Sequence, residues 1–255
     1  KYDDRCNAYK EPRAIGRAED DIIAAHHLPV EYRSQIHTHQ QQHHIAVAAS
    51  EHCGGEALDE DNNYHGQHTE IKEVATQDIA DFLLQRAEEM CLAEQLYAEG
   101  KITKRVNHCD TKVNNMLFDE QGKPMCIVDL DTVMPGFVFS DFGDFIRTAA
   151  NTGAEDDPNL DNIHVNMEIF QAYAKGYLST ATFLTPLEIS LLPHGCTRMS
   201  FMQAVRFYVD YLNGDTYYQI AYPEHNLVRT KAQIRLFEEQ TNAQEQMQQI
   251  LEACK

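Results

Sequence analysis

The sequence predicts an α+β fold: a mainly helical region, running from about Thr69 to Lys255, built around a small central β-hairpin. Three observations predict it. From Thr69 onward, apolar residues recur at helical spacing. Near the middle, two short strand-like runs, "NMLFD" and "MCIVDL", flank the turn sequence "EQGKP". Residues 1–68, by contrast, are polar, lack apolar periodicity and hold nine of the 13 histidines, all between His26 and His68.

The elements follow in order. "DIADFLLQRAEEMCLAEQLYAEG" places Ile79, Phe82, Leu83, Met90, Ala93 and Tyr97 on one helical face, with Gly100 placed to end the helix. The hairpin comes next. After Asp156-Asp157-Pro158 the helical pattern returns, and Met167, Phe170, Tyr173 and Tyr177 read as core. "TPLE", Thr185 to Glu188, is a capping box with proline at the first helical position. "MSFMQAVRFYVDYLNGD" puts Met202, Val205, Val209 and Leu212 on one face, and a last helix is expected from about Arg229 to the end. No internal repeat is visible.

Composition excludes some functions. Forty acidic residues against 21 basic give a formal net charge of −19. Nucleic-acid and anionic-membrane binding draw on basic patches, so neither partner is expected. The seven cysteines (Cys6, Cys53, Cys91, Cys109, Cys126, Cys196, Cys254) are odd in number, spread out and without a C-x-x-C pair. That pattern fits free thiols in a reducing cytoplasm. No apolar run approaches the ~18 residues of a membrane span, and no signal-peptide pattern opens the chain. Lys1 stands where a Met would open a complete chain, which points to a fragment or a processed product.

"VNHCDTKVNNMLFD", Val106 to Asp119, carries the chemistry. His108, Asp110 and Asn115 fit H-x-D-x-x-x-x-N, the spacing of a kinase catalytic loop, in which the Asp accepts the proton of the attacking hydroxyl and the Asn holds magnesium. Nineteen positions after Asp110, Asp129 ends the second strand run, where a carboxylate can bind the same ion. Lys112 is within reach of a transferring phosphoryl group. Asp131 reads either as a second metal ligand or as a solvated hairpin end. His108 braces the loop.

Asp141-Phe142-Gly143 spells the D-F-G of protein kinases but lies 31 positions past Asp110, too far for the metal-binding role. It reads as a structural cap, with Asp141 accepting backbone N–H groups of the loop. Cys109 in place of the Arg of H-R-D, the short span from Asp131 to Asp141 and the lack of A-P-E argue against a protein kinase. A small-molecule kinase using ATP and Mg2+ fits better.

"HCDTKVNNMLFD", "IVDLDTVMPGFVFSDFGDFIRTAAN", "FMQAVRFYVDYLNGDTYY" and "YPEHNLVRTKAQ" together resemble the N-acetylhexosamine 1-kinases of the aminoglycoside phosphotransferase and choline kinase superfamily. The resemblance covers roughly Thr69 to Gln240. It implies the mainly helical C-terminal lobe of a protein-kinase-like fold and transfer of the ATP γ-phosphate to the anomeric hydroxyl of GlcNAc or GalNAc. It also implies that an Arg and a Tyr on the late helices grip the sugar, here Arg206 and Tyr217. The competing reading for Arg206 is an ion pair with Asp210 one turn on; for Tyr217 it is ordinary core. Such enzymes carry an N-terminal lobe with nucleotide-covering strands and a phosphate-contacting lysine. Before residue 69 this chain has no G-x-G-x-x-G, no G-x-x-x-x-G-K-[ST] and no run of strands, so that lobe is expected to be missing.

Two rival functions stand beside this one. Choline, homoserine or an aminoglycoside could replace the sugar as acceptor. The chain could instead be a non-catalytic kinase-like or His-rich binding module. His37 and His39, His43 and His44, His52 with Cys53, and His65 with His68 invite a metal reading, but their irregular spacing suits a solvated polar segment better than a zinc site.

Overall fold

The computed structural model describes Lys72 and residues 75–254. The histidine-rich segment, and with it the metal reading of those histidines, lies outside the described residues. What is described is mainly helical, with two small antiparallel sheets, the α+β arrangement expected.

Two helices open it: α1 (Gln77–Met90) and α2 (Leu92–Ala98). The sequence reads as one continuous helix here, but the chain breaks at Cys91, whose φ of −86° and ψ of 9° leave helical geometry. Gly100 ends α2 as expected. Its φ of 72° allows Gly100 N–H to reach Tyr97 O and Lys101 N–H to reach Leu96 O, the paired bonds of a Schellman ending.

Four strands follow: β1 (Arg105–Asn107), β2 (Met116–Phe118), β3 (Pro124–Ile127) and β4 (Met134–Gly136). β2 and β3 form the expected hairpin, with Met116 opposite Ile127. Its turn is held by Asp119 Oδ1, which accepts from Gln121 N at 3.0 Å and Lys123 N at 2.8 Å, while Gly122 takes a φ of 78° that a side chain would strain. The second ladder, β1 against β4, is a finding of the structure alone: Arg105 faces Gly136 and Asn107 faces Met134 across the hairpin. Short 3-10 turns at Val113–Asn115 and Leu130–Thr132 complete this centre.

The remaining helices are α3 (Val138–Ala149), α4 (Met167–Thr180), α5 (Pro186–Ser190), α6 (Leu192–Leu212), α7 (His225–Asn242) and α8 (Gln244–Ala253). The Thr185/Glu188 capping box opens α5. Glu188 also takes a two-armed ion pair from Arg105 at 3.0 and 3.1 Å, which ties β1 to this helix. The expected last helix begins four residues early, at His225, and breaks at Ala243.

α6 is the spine, packed most extensively on α7 and α3. The one-face reading of it is too narrow. Phe201, Ala204, Tyr208 and Tyr211 are buried along with Met202 and Leu212, because α1 and α7 cover one side and α3 the other. Gly143 and Gly195 make the α3–α6 crossing possible. A Cβ on either would sit 2.1 Å from a backbone oxygen, of Gly195 and Phe139 respectively. One apolar core gathers Phe139, Phe142, Ile146, Phe170, Leu192 and Met247 beside this crossing; a second, around Phe201, Tyr208 and Phe237, lies along the other half of α6. The helices so packed present α3 to the chain segment between β1 and β2.

Candidate active site

That segment, His108 to Asn115, is bolted to α3. The Asp141 carboxylate accepts His108 N–H at 2.7 Å and Cys109 N–H at 2.9 Å. Asp141 O accepts the Thr111 hydroxyl at 2.6 Å, and one helix end further on Thr148 Oγ1 accepts Val113 N–H at 2.9 Å. These bonds hold Cys109 at a φ of 65°, a left-handed conformation that L residues rarely adopt. Phe142 is fully buried and Gly143 lies at the helix crossing, so the D-F-G letters serve helix packing here. Burial pushes the Asp141 pKa up, and the two amide bonds only partly oppose it.

The other side of the loop is held by the hairpin. His108 Nε2 lies 2.9 Å from Val128 O, and His108 Nδ1 receives Asp110 N–H at 3.3 Å. A ring that accepts at Nδ1 donates at Nε2, so this pair of bonds defines one neutral tautomer. Thr132 Oγ1 donates to His108 O at 2.7 Å, and Val128 N–H reaches Asn115 O at 2.9 Å.

Four predicted residues converge inside this frame. Lys112 Nζ lies 2.7 Å from Asp110 Oδ2. Asn115 Nδ2 donates to Asp110 Oδ2 and to Asp110 O, both at 2.9 Å, and sits 3.4 Å from Asp129 Oδ2. Asp129, two residues past β3 and just before the Leu130–Thr132 turn, takes a φ of 66°. Burial pulls the Lys112 pKa down, but the bond to Asp110 and the charges of Asp110, Asp129 and Asp144 outweigh it and leave the ammonium strengthened. Asp131 is exposed on the following 3-10 turn.

Behind Lys112 runs a network that local sequence patterns do not announce. Arg147, buried on α3, grips Asp144 Oδ1 at 2.9–3.0 Å and reaches Glu155 Oε1 at 2.6 Å. The only sequence trace of it is the i,i+3 spacing of Asp144 and Arg147.

Arg206 and Tyr217 stand on the C-terminal half of α6 and the loop after it, and among the described residues no hydrogen bond or ion pair joins either to this cluster. The Arg206 guanidinium sits 5.8 Å from the Tyr218 ring centre, and Tyr217 and Tyr218 meet edge to face at 4.8 Å. Among the described residues no ion pair joins Arg206 to Asp210. Tyr217 is 63 % exposed, so it is not core.

The donors present suit one kind of ion. Among the described residues no group of three or more His, Cys, Asp or Glu side chains is arranged to cage a metal. Magnesium in phosphoryl-transfer sites needs no cage, since it binds through one or two carboxylates, substrate phosphates and water. The exposed Asp129 beside Asn115 fits that requirement.

The profile of the phosphotransferase enzyme family, APH, matches residues 21–181, more than half of the chain. The chain belongs to that family. The APH match spans the whole loop, Asp129, Asp131, Asp141 and the Asp144–Arg147–Glu155 network; Arg206 and Tyr217 lie beyond it. It begins inside the histidine-rich segment. Membership makes the protein an ATP-dependent small-molecule phosphotransferase by family, with the kinase-like α+β fold. Among the described residues no helix is long and apolar enough to cross a membrane.

Proposed function

We propose that this APH-family protein transfers the γ-phosphate of ATP to the anomeric hydroxyl of an N-acetylhexosamine, GlcNAc or GalNAc. The observation that carries the reading is the convergence of Asp110, Lys112, Asn115 and Asp129 on one loop and hairpin end. The hydroxyl oxygen attacks the γ-phosphorus as the bond to the β–γ bridging oxygen breaks, and ADP leaves. Asp110 orients the hydroxyl and takes its proton at a carboxylate oxygen. Lys112 offsets charge on the transferring oxygens. Asp129, with Asn115 beside it, would hold a magnesium ion, whose positive charge would help neutralise the transferring phosphate.

Surface chemistry supports both substrates. The exposed apolar side chains of Ile127 and Leu130 flank Asp129 in the chain and offer contacts for a purine base. Arg206 offers forked donors for sugar oxygens, and the exposed Tyr217 offers a flat apolar ring. The choice of an N-acetylhexosamine over choline, homoserine or an aminoglycoside rests on the sequence motifs. The test is product analysis after incubation with Mg-ATP and a panel of GlcNAc, GalNAc, choline, homoserine and kanamycin. A 1-phosphate of either sugar supports the reading; phosphorylation confined to another acceptor replaces it.

A further inference from the structure

Asp210 stands at the end of α6 and is 5 % exposed, yet it makes no ion pair with a cation among the described residues. Its carboxylate is taken up by the next loop instead. Oδ1 accepts Thr216 N–H at 3.0 Å and Tyr217 N–H at 2.8 Å; Oδ2 accepts Tyr218 N–H at 3.0 Å and Asn226 Nδ2 at 2.8 Å. The chain can turn back this sharply because Gly214 and Asp215 both take positive φ, 84° and 60°. Asn226 Nδ2 also bonds Asp215 Oδ1 at 2.9 Å, and Lys72 lies 3.6 Å from the same residue's Oδ2. Three successive amides thus aim at one buried carboxylate that arises one helical turn after Arg206. Charge-assisted bonds of this kind are about twice as strong as neutral ones.

We propose that Asp210 is a positioning residue for acceptor recognition: it locks the Tyr217–Tyr218 loop onto α6 so that the Tyr217 ring is held in fixed relation to the Arg206 guanidinium. The inference rests on the reading of Arg206 and Tyr217 as acceptor contacts. The geometry argues that this loop is preset, not shaped by the ligand. It also explains why Arg206 is available: the carboxylate that would have paired with it one turn away is already filled by four donors. A site that recognises a sugar through one ring face and one guanidinium depends on their mutual placement, and misplacement by about 1 Å can cost on the order of 10²-fold in rate.

The test is Asp210→Asn in the full chain. An asparagine offers one oxygen to donors that need two and turns an N–H2 toward the rest. Three quantities are measured: GlcNAc and GalNAc binding by calorimetry, the steady-state constants for acceptor and for ATP, and amide exchange at residues 216–218. The expected result is faster exchange at these three amides with His108 and Cys109 still protected, and acceptor kcat/KM reduced on the order of 10²-fold. The loss resides in the acceptor KM, with the ATP KM unchanged. Tyr217→Ala alone gives a similar defect, and the double variant is no worse than Tyr217→Ala, as coupled neighbours require. If Asp210→Asn does not fold, Asn226→Ala leaves the three loop amides on the carboxylate, removes the fourth donor together with the bonds of Asn226 to Asp215 and Arg229, and shifts the same parameter by less.

Loosened amides with an unchanged acceptor KM would overturn the proposal, as would equal losses for ATP and acceptor or a fully additive cycle. A wild-type chain that binds neither sugar would instead remove the acceptor reading on which it stands.

Discussion

Lys112 reaches back two residues to place its ammonium 2.7 Å from Oδ2 of Asp110. The pair sets a fixed positive charge beside the carboxylate proposed to orient the acceptor. Asp110, Asp129 and Asp144 together hold that ammonium protonated above the ordinary lysine range. Its charge is therefore present through the neutral and mildly alkaline range and is lost only as pH rises past the raised pKa.

Removing that charge tests its part in catalysis. Lys112→Ala is expected to lower kcat on the order of 10²-fold, the usual effect of deleting one electrostatic stabiliser of a transition state. Steady-state kinetics check it: the fall lies in kcat, with the acceptor KM little changed. A rise in acceptor KM at constant kcat would make Lys112 a binding residue instead.

Asp141 gives a prediction of a different kind, because it acts on the loop and touches no reacting atom. Asp141→Ala strips the acceptor from His108 N–H and Cys109 N–H, which a left-handed Cys109 leaves with little room to find another. Donors left without a partner cost about 1–3 kcal/mol when fully buried and less on this partly buried loop, read as a lower urea midpoint. The same variant is expected to lose most of its turnover, since the carboxylate of Asp110 follows the two freed amides directly. Retained turnover at wild-type stability would contradict the bracket role.

His194 should make the fold sensitive to mild acid. Burial, and then the nearby Arg198 charge, push its pKa down from 6.5 to about 4, and its Nε2 is enclosed without a hydrogen-bond partner. Between those values the unfolded chain binds a proton that the native chain refuses. The contribution to stability is thus complete above about pH 6.5 and is lost as pH falls toward 4, a change of about 3 kcal/mol. Urea unfolding at pH 7 and pH 4.5 checks the slope, and His194→Phe, which cannot take the proton, is expected to flatten it.

The sequence carried the parts of this structure whose rules are local. The H-x-D-x-x-x-x-N spacing, the E-Q-G-K-P turn, the Thr185–Glu188 capping box and the Gly100 stop each depend on residues within a few positions of one another. What it did not carry depends on distant partners. The β1–β4 ladder pairs Arg105 with Gly136 through three-residue strands, one of which contains Pro135 and shows no alternation. The full burial of α6 depends on what packs around it, and its Gly195 matters only because the Phe139 carbonyl of α3 lies against it. The Arg147 network joins α3 to Glu155 and Gln233, and nothing in either neighbourhood marks them as partners. Asp210 was legible as an acidic neighbour of Arg206, but its use by the following loop was not.

The most direct test of the central claim is Asp110→Asn against the wild-type chain, both incubated with Mg-ATP and GlcNAc or GalNAc, with nucleotide binding measured alongside. The account predicts sugar 1-phosphate from the wild type and a fall of about 10²–10⁴-fold in kcat for the variant, the range of general base contributions. Nucleotide binding and the urea midpoint should remain unchanged. Equal turnover by both proteins would contradict it, since Asp110 would then play no part in the transfer.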